Sequence, residues 1–257
     1  MADHSLDIIW PAFLTGLLVL STHVPLGKLV LDRGIVFIDL AIAQVAGLGV
    51  VTADFLGWEP NGWSVQASAV AAALVSAGFL IWTERRLAQL QEAVIGVVFV
   101  AAASAEIVLL SFNPHGAENL KDLLVGQILW VVPEQLAAPA VLYAAVLAVA
   151  SLVDLGSRRV LFYALFAVTV TASVQLVGVF LVFASLIVPA LTARASGVKR
   201  PILFGYGLGL AGYVLGLLAS LLFDLPTGAA VVCTLALLAV IVGGGLAIRR
   251  DMKGRTA

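Results

Sequence analysis

Between Arg159 and Arg194 run 34 residues, 160–193, with no acidic, basic or histidine side chain among them. A helix crosses a hydrocarbon core of roughly 30 Å with about 20 mostly apolar residues. The run is thus too long for one crossing and short for two, and Gln175 and Gly178 mark where it would turn. The rest of the chain is of the same kind: 62% of its 257 residues are hydrophobic and 11% charged. Soluble domains carry about 45–50% apolar and roughly 25% charged residues. A water-soluble globule is therefore excluded. A net charge of -1 and the lack of low-complexity tracts argue against disorder and nucleic-acid binding. The single cysteine, Cys233, rules out an internal disulfide framework and a cysteine-based zinc site. What remains is an all-α polytopic membrane protein.

Stretches long enough to cross are 8–29, 35–56, 64–83, 92–112, 134–153, 159–175, 177–193, 202–223 and 227–248, which gives about nine spans, with eight or ten as bounds. With the N-terminus outside and the C-terminus cytoplasmic, every basic group except Lys121 falls on the cytoplasmic side, as the positive-inside rule requires. The acidic residues Asp3 and Asp7 and the Trp58 and Trp63 loop then lie outside. No basic region or small-residue cleavage site surrounds the first apolar stretch, so it reads as a permanent span and not as a signal peptide. Segment 117–131 is amphipathic and is expected along the outer interface, before Pro133 opens the next helix.

Motifs of metalloproteases, serine hydrolases and phosphate-binding loops are missing, and His4, His23 and His115 sit at the N-terminus, inside the first span and in an outer loop, where they build neither a catalytic base nor a nucleotide site. An intramembrane enzyme is disfavoured, and energy for pumping must come from another chain or an ion gradient. The informative polar residues are acids within spans, because a charge at mid-bilayer costs at least about 2.5–3.5 kcal/mol. Asp39 and Asp54 lie about 60° apart in azimuth and about 22 Å apart in height on one helix; Glu92 and Glu106 lie about 40° and about 21 Å apart on another. Each pair shares a face, a pattern suited to passing a cation that takes oxygen ligands. Interfacial positions for Asp54 and Glu92, the latter paired with Arg85 or Arg86, are the plain alternative. His23 beside Pro25 is expected to make an interhelical hydrogen bond, and Gln44 and Gln175 are expected to bond helix to helix. Gly205, Gly209, Gly212 and Gly216 repeat a small-residue spacing that permits close helix packing, in a dimer contact or in the bundle core.

Particular strings narrow the class. QLVGVFLVFASLIVPALTARA at 175–195 resembles the stretch in permeases of the metal-cation ABC transporter family, the zinc, manganese and iron importers, where a span ends in a Leu-Ile-Ile-Pro-Ala-type segment and runs into a cytoplasmic helix contacting the ATPase. In the family's order follow LGKLVLDRGIVFIDLAIAQVAGLGV at 26–50, EAVIGVVF at 92–99, LVGQILWV at 124–131 and DLPTG at 224–228. The likeness covers nearly the whole chain, and its collinearity carries it.

The resemblance implies a single permease domain over 1–257 with a type II-like importer bundle, seated in the inner membrane of a bacterium. It implies a homodimer, a cytoplasmic ATP-binding subunit that holds the ATP and magnesium, and an extracytoplasmic metal-binding protein that delivers the substrate. No cofactor is implied in this chain; the divalent metal, zinc first and manganese or iron next, is substrate. Segment 189–201 becomes the coupling element, with Pro189, Ala190, Thr192 and Arg194 as its contacts. Asp39 is the first candidate for a transient metal contact, Glu106 the second, with Asp54 and Glu92 where the ion enters and leaves. The sequence departs from the family's Gly-Asp-Ala-x-Ser-His: Asp39 matches the Asp, but Ala43 stands where the His belongs, followed by Gln44. Glu92 replaces an Asp, and Gln127 stands where an Asp is frequent. A gradient-driven carrier or channel, and a permease of this architecture for a chelated or organic substrate, remain the competing readings.

Overall fold

The computed structural model describes the backbone of residues 2–58, 62–113, 116–126 and 128–255, and their side chains apart from 2–8, 116–119 and 244–255. His115 and Gln127 lie outside the described residues, as do the side chains of Asp3, His4, Asp7, Arg249, Arg250, Lys253 and Arg255. The elements are α1 (Ala2–Arg33), α2 (Ile38–Phe55), α3 (Trp63–Arg86), α4 (Gln91–Leu110), α5 (Gly116–Val125), α6 (Pro133–Leu152), α7 (Arg159–Val177), α8 (Val179–Ser196), α9 (Pro201–Phe223) and α10 (Thr227–Arg255). Two 3-10 turns, Ala88–Leu90 and Ile128–Trp130, join the set, and no strand occurs among the described residues. Eight helices are long and apolar enough to cross a membrane, and α10 adds the apolar stretch Thr227–Gly243. The chain is thus an all-α bundle of about nine crossings, as its composition predicts.

The 34-residue run divides as expected. Gly178 is the single residue between α7 and α8; its N–H donates to the Val174 carbonyl at 2.8 Å, and its own carbonyl accepts from Val182 at 3.1 Å. Its φ of 80° and ψ of 162° lie where only glycine rests without strain. Helices of 19 and 18 residues are about 28 and 27 Å long, just enough for two crossings. The turn is sunk into the bundle, because the chain after α5 packs over it. Gly126, at φ +74°, lies backbone to backbone against Val177 and Gly178, and Gly228 at the start of α10 abuts the Val125 carbonyl. This corrects the expectation for 117–131: α5 forms, but the following turn buries Ile128 and Val131 within the bundle.

Basic side chains tie one end of the bundle together. Arg33 donates to the carbonyls of Leu155 and Gly156 at 2.9 and 3.0 Å and lies 4.5 Å over the Phe162 ring. Arg159 pairs with Glu84 at 3.1 Å, and Arg194 donates to the Leu31 carbonyl at 2.8 Å. The ends of α1, α3, α6, α7 and α8 that carry these bases therefore coincide, which is what a positive-inside pattern requires of the fold.

Prolines and glycines set the interior. Pro25 has no N–H to give the Ser21 carbonyl four residues earlier, and Tyr206 of α9 donates its hydroxyl there at 2.8 Å. Gly205 and Gly209 face Val24 and Leu20 of α1, whereas Gly212 and Gly216 face Leu235 and Val231 of α10. All four are buried, so the small-residue repeat serves the bundle core. His23 is fully buried, but its Nδ1 meets the Val19 carbonyl of its own helix at 2.8 Å and Thr22 at 3.2 Å. The expected interhelical bond is not made; the nearest acceptor, one turn earlier on α1, takes the ring instead.

Candidate functional site

The four acids occupy four different environments. Asp39, in the first turn of α2, is 1% exposed. Its carboxylate lies beside the N–H groups of Asp39 and Leu40 without forming a well-shaped hydrogen bond to either oxygen. A helix N-terminus offers partial positive charge to such a group. Among the described residues its environment includes no ion-pair partner: the pairs formed are Lys28–Asp32, Arg159–Glu84 and Arg194–Asp32.

Glu106, on α4, is also 1% exposed and accepts a hydrogen bond from the Gln44 side chain of α2. Gln44 thus makes the helix-to-helix bond expected of it, while Gln175 is exposed. Glu92 begins α4 at the basic end and accepts the backbone N–H of Val36 at 2.7 Å, capping the turn between α1 and α2. That contact replaces the expected pairing with Arg85 or Arg86, whose side chains are exposed. A main-chain donor 56 residues away leaves no trace in local spacing. Asp54 is exposed at the opposite end of α2, 3.4 Å from the Asn113 amide that follows α4. Equal azimuth therefore did not mean equal burial: Asp39 and Glu106 are sealed inside, whereas Asp54 and Glu92 sit at the ends of their helices.

No group of three or more His, Cys, Asp and Glu that could hold a metal ion occurs among the described residues. The position of the missing imidazole, Ala43, is 1% exposed. Packing of the bundle closes that position.

Segment 189–201 differs from a free-standing docking helix. Pro189, Ala190 and Thr192 remain inside α8, where Ala190 and Thr192 are buried and Thr192 donates to the Val188 carbonyl at 2.7 Å. Gly197, at φ 57°, ends the helix in the left-handed conformation favoured for glycine. The exposed part is Leu191, Arg194, Ala195, Gly197, Lys199 and Arg200. Beside it, a groove of about 260 Å³ between α1, α8 and α9 is lined by Lys28, Asp32, Arg194 and Val198.

About nine crossing helices, carboxylates sealed between spans and a basic face at one end define a multi-span membrane permease. The chain belongs to the ABC 3 transport family, whose pattern it matches over residues 5–156 and 153–243. This is the metal-cation permease family that the collinear strings resemble. Over 256 residues the chain is 23% identical to the high-affinity zinc uptake system membrane protein ZnuB of Haemophilus influenzae, spanning 91% of this chain and 96% of that one. The fold is similar to that of PsaBC from Streptococcus pneumoniae in complex with Fab, with a TM-score of 0.73 and 22% identity over 94% of this chain and 95% of the other. It is also similar to a transporter assigned to the metal-chelate type in an inward-facing conformation, with a TM-score of 0.68 and 16% identity over 90% of this chain and 84% of the other.

Proposed function

We propose that the chain is the membrane permease of a bacterial ABC importer for a divalent metal cation, with zinc, manganese and iron as the candidate cargoes. It works as a homodimer in the inner membrane with its basic end toward the cytoplasm. A separate ATP-binding subunit drives it, and an extracytoplasmic metal-binding protein supplies it. The observation that carries the reading is Asp39: a carboxylate 1% exposed, inside a span, with no cationic side chain paired to it. Such a group is costly to bury and is stabilised when a passing cation meets it. A lone carboxylate holds the ion weakly, and weak holding permits release.

The ATPase docks on the exposed stretch Arg194–Arg200 and the adjoining groove. Arg194 is bonded to the Leu31 carbonyl at 2.8 Å and lies 3.8 Å from Asp32, so force on α8 reaches the end of α1 and, through the short turn that follows, α2 and Asp39. Alternating access then exposes Asp39 to one side and the other. Likeness to ZnuB supports zinc among the cargoes, and the family's partners support the ATPase and the binding protein.

Replacing Asp39 by Ala should abolish ATP-dependent metal uptake in proteoliposomes while the complex with the ATPase still assembles. Normal uptake by that variant would overturn the assignment.

A further inference from the structure

Among the polar contacts between spans, two kinds of buried side-chain pair stand apart. Tyr143 with Ser173 and Ser185 with Tyr213 join hydroxyl to hydroxyl. Gln44 with Glu106 joins an amide to a carboxyl, and this pair is only half satisfied. Gln44 Nε2 donates to Glu106 Oε2, but Glu106 Oε1 and Gln44 Oε1 are both buried without a hydrogen-bond partner. The residues are 1% and 3% exposed, and an unmatched acceptor in hydrocarbon carries its full desolvation cost. Neither α2 nor α4 contains a Lys or Arg, so these helices supply no counter-charge. The carboxyl also has a seat made for it: a Cβ on Gly47 would lie 2.5 Å from Glu106 Oε1. Only glycine at position 47 lets the carboxyl rest on the surface of α2.

The geometry points to Gln44 and Glu106, seated over Gly47, as a second cation-contact site, built from oxygen donors alone and selecting a hard divalent ion of the manganese type over zinc. Carboxylate and amide oxygens suit manganese and magnesium, whereas imidazole and thiolate suit zinc. Turning the Gln44 amide about its last bond brings its oxygen toward the carboxyl, and the two side chains then offer oxygens to one ion. This site is separate from Asp39: five residues of helix place Gln44 about 7.5 Å higher and about 140° around the axis. The proposal rests on the transport reading above and refines the cargo it implies.

The test uses the full-length chain in lipid nanodiscs, titrated with manganese and followed by electron paramagnetic resonance, with zinc as competitor. The wild type should bind manganese in two classes. Glu106→Gln, nearly isosteric and still able to accept from Gln44, should weaken one class at least tenfold, and Gly47→Ala should weaken the same class by displacing the carboxyl. Asp39→Asn should leave that class intact and remove the other. Gln44→His should let zinc displace manganese about tenfold more readily than in the wild type. Manganese binding by both Glu106→Gln and Gly47→Ala equal to wild type, with Asp39→Asn still defective in uptake, would overturn the second site alone. A wild-type chain that binds neither manganese nor zinc would overturn the transport reading and this site with it.

Discussion

Replacing Gly178 by Ala should be among the most damaging single-methyl additions in the chain. Its φ of 80° and ψ of 162° belong to a region occupied essentially by glycine, and forcing another residue there costs about 1–3 kcal/mol. The added Cβ would also lie 2.7 Å from Gly126 Cα and 2.7 Å from the Val125 carbonyl carbon. Both are backbone atoms that cannot swing aside as a side-chain tip can. Strain and overlap together should destabilise the fold by about 3 kcal/mol or more, which corresponds to a fall in melting temperature of about 6–12 °C for a chain of this size. The control is Gly207→Ala on α9, exposed, with nothing within 4 Å of the new Cβ; it should gain about 0.5–1 kcal/mol from helix propensity. Thermal unfolding of both variants in the same detergent, followed by fluorescence-detected size exclusion, compares them directly. Equal melting temperatures for the two would refute the claim that the turn between α7 and α8 is sterically closed.

Four further outcomes follow from particular contacts, each read by the same melting measurement. Tyr213→Phe should cost more than Tyr143→Phe, about 1–3 against at most about 1 kcal/mol. Loss of the Tyr213 hydroxyl strands Ser185, whereas Ser173 keeps its 2.8 Å bond to the Thr169 carbonyl; the reverse order would contradict this. Glu92→Ala should lose about 1 kcal/mol with the Val36 cap, while Glu92→Gln, which retains an oxygen for that N–H, should melt near the wild type. Lys28→Met breaks an exposed pair at i,i+4 and should change stability by less than about 0.5 kcal/mol. Arg159→Met should cost about 1 kcal/mol, since it leaves Glu84, whose side chain is 15% exposed, without its partner.

What was legible in the sequence were the features that depend on long windows or on backbone chemistry. Span number followed from hydropathy, and the division of 160–193 followed from Gly178. The gathering of bases at one end followed from their placement between spans. The contacts that define the site were not legible, because each joins residues far apart in the chain. Gln44 and Glu106 are 62 residues apart, and helix periodicity reports which face a residue occupies without saying which helix it meets. The azimuths of Asp39 and Asp54 were sound, but Asp54 lies at the end of α2, where any face is open to solvent. The amphipathic stretch 117–131 misled for a related reason. Ile128 and Val131 are covered by helices that lie on both sides of them in sequence, which no local pattern reveals.

The meeting of Gly126, Gly178 and Gly228 also sets an order of assembly. Val125 and Gly126 close against the turn between α7 and α8 and against the first residues of α10, and the second of these contacts forms only after the chain has been made past position 228. Until then the side of Val125 that Gly228 covers stays open. A ribosome-bound chain stopped before Gly228 should therefore leave the chain at Val125 open to protease, and one released after it should not. In this contact α10 is the latch, set down on Val125 after the helices around it are in place.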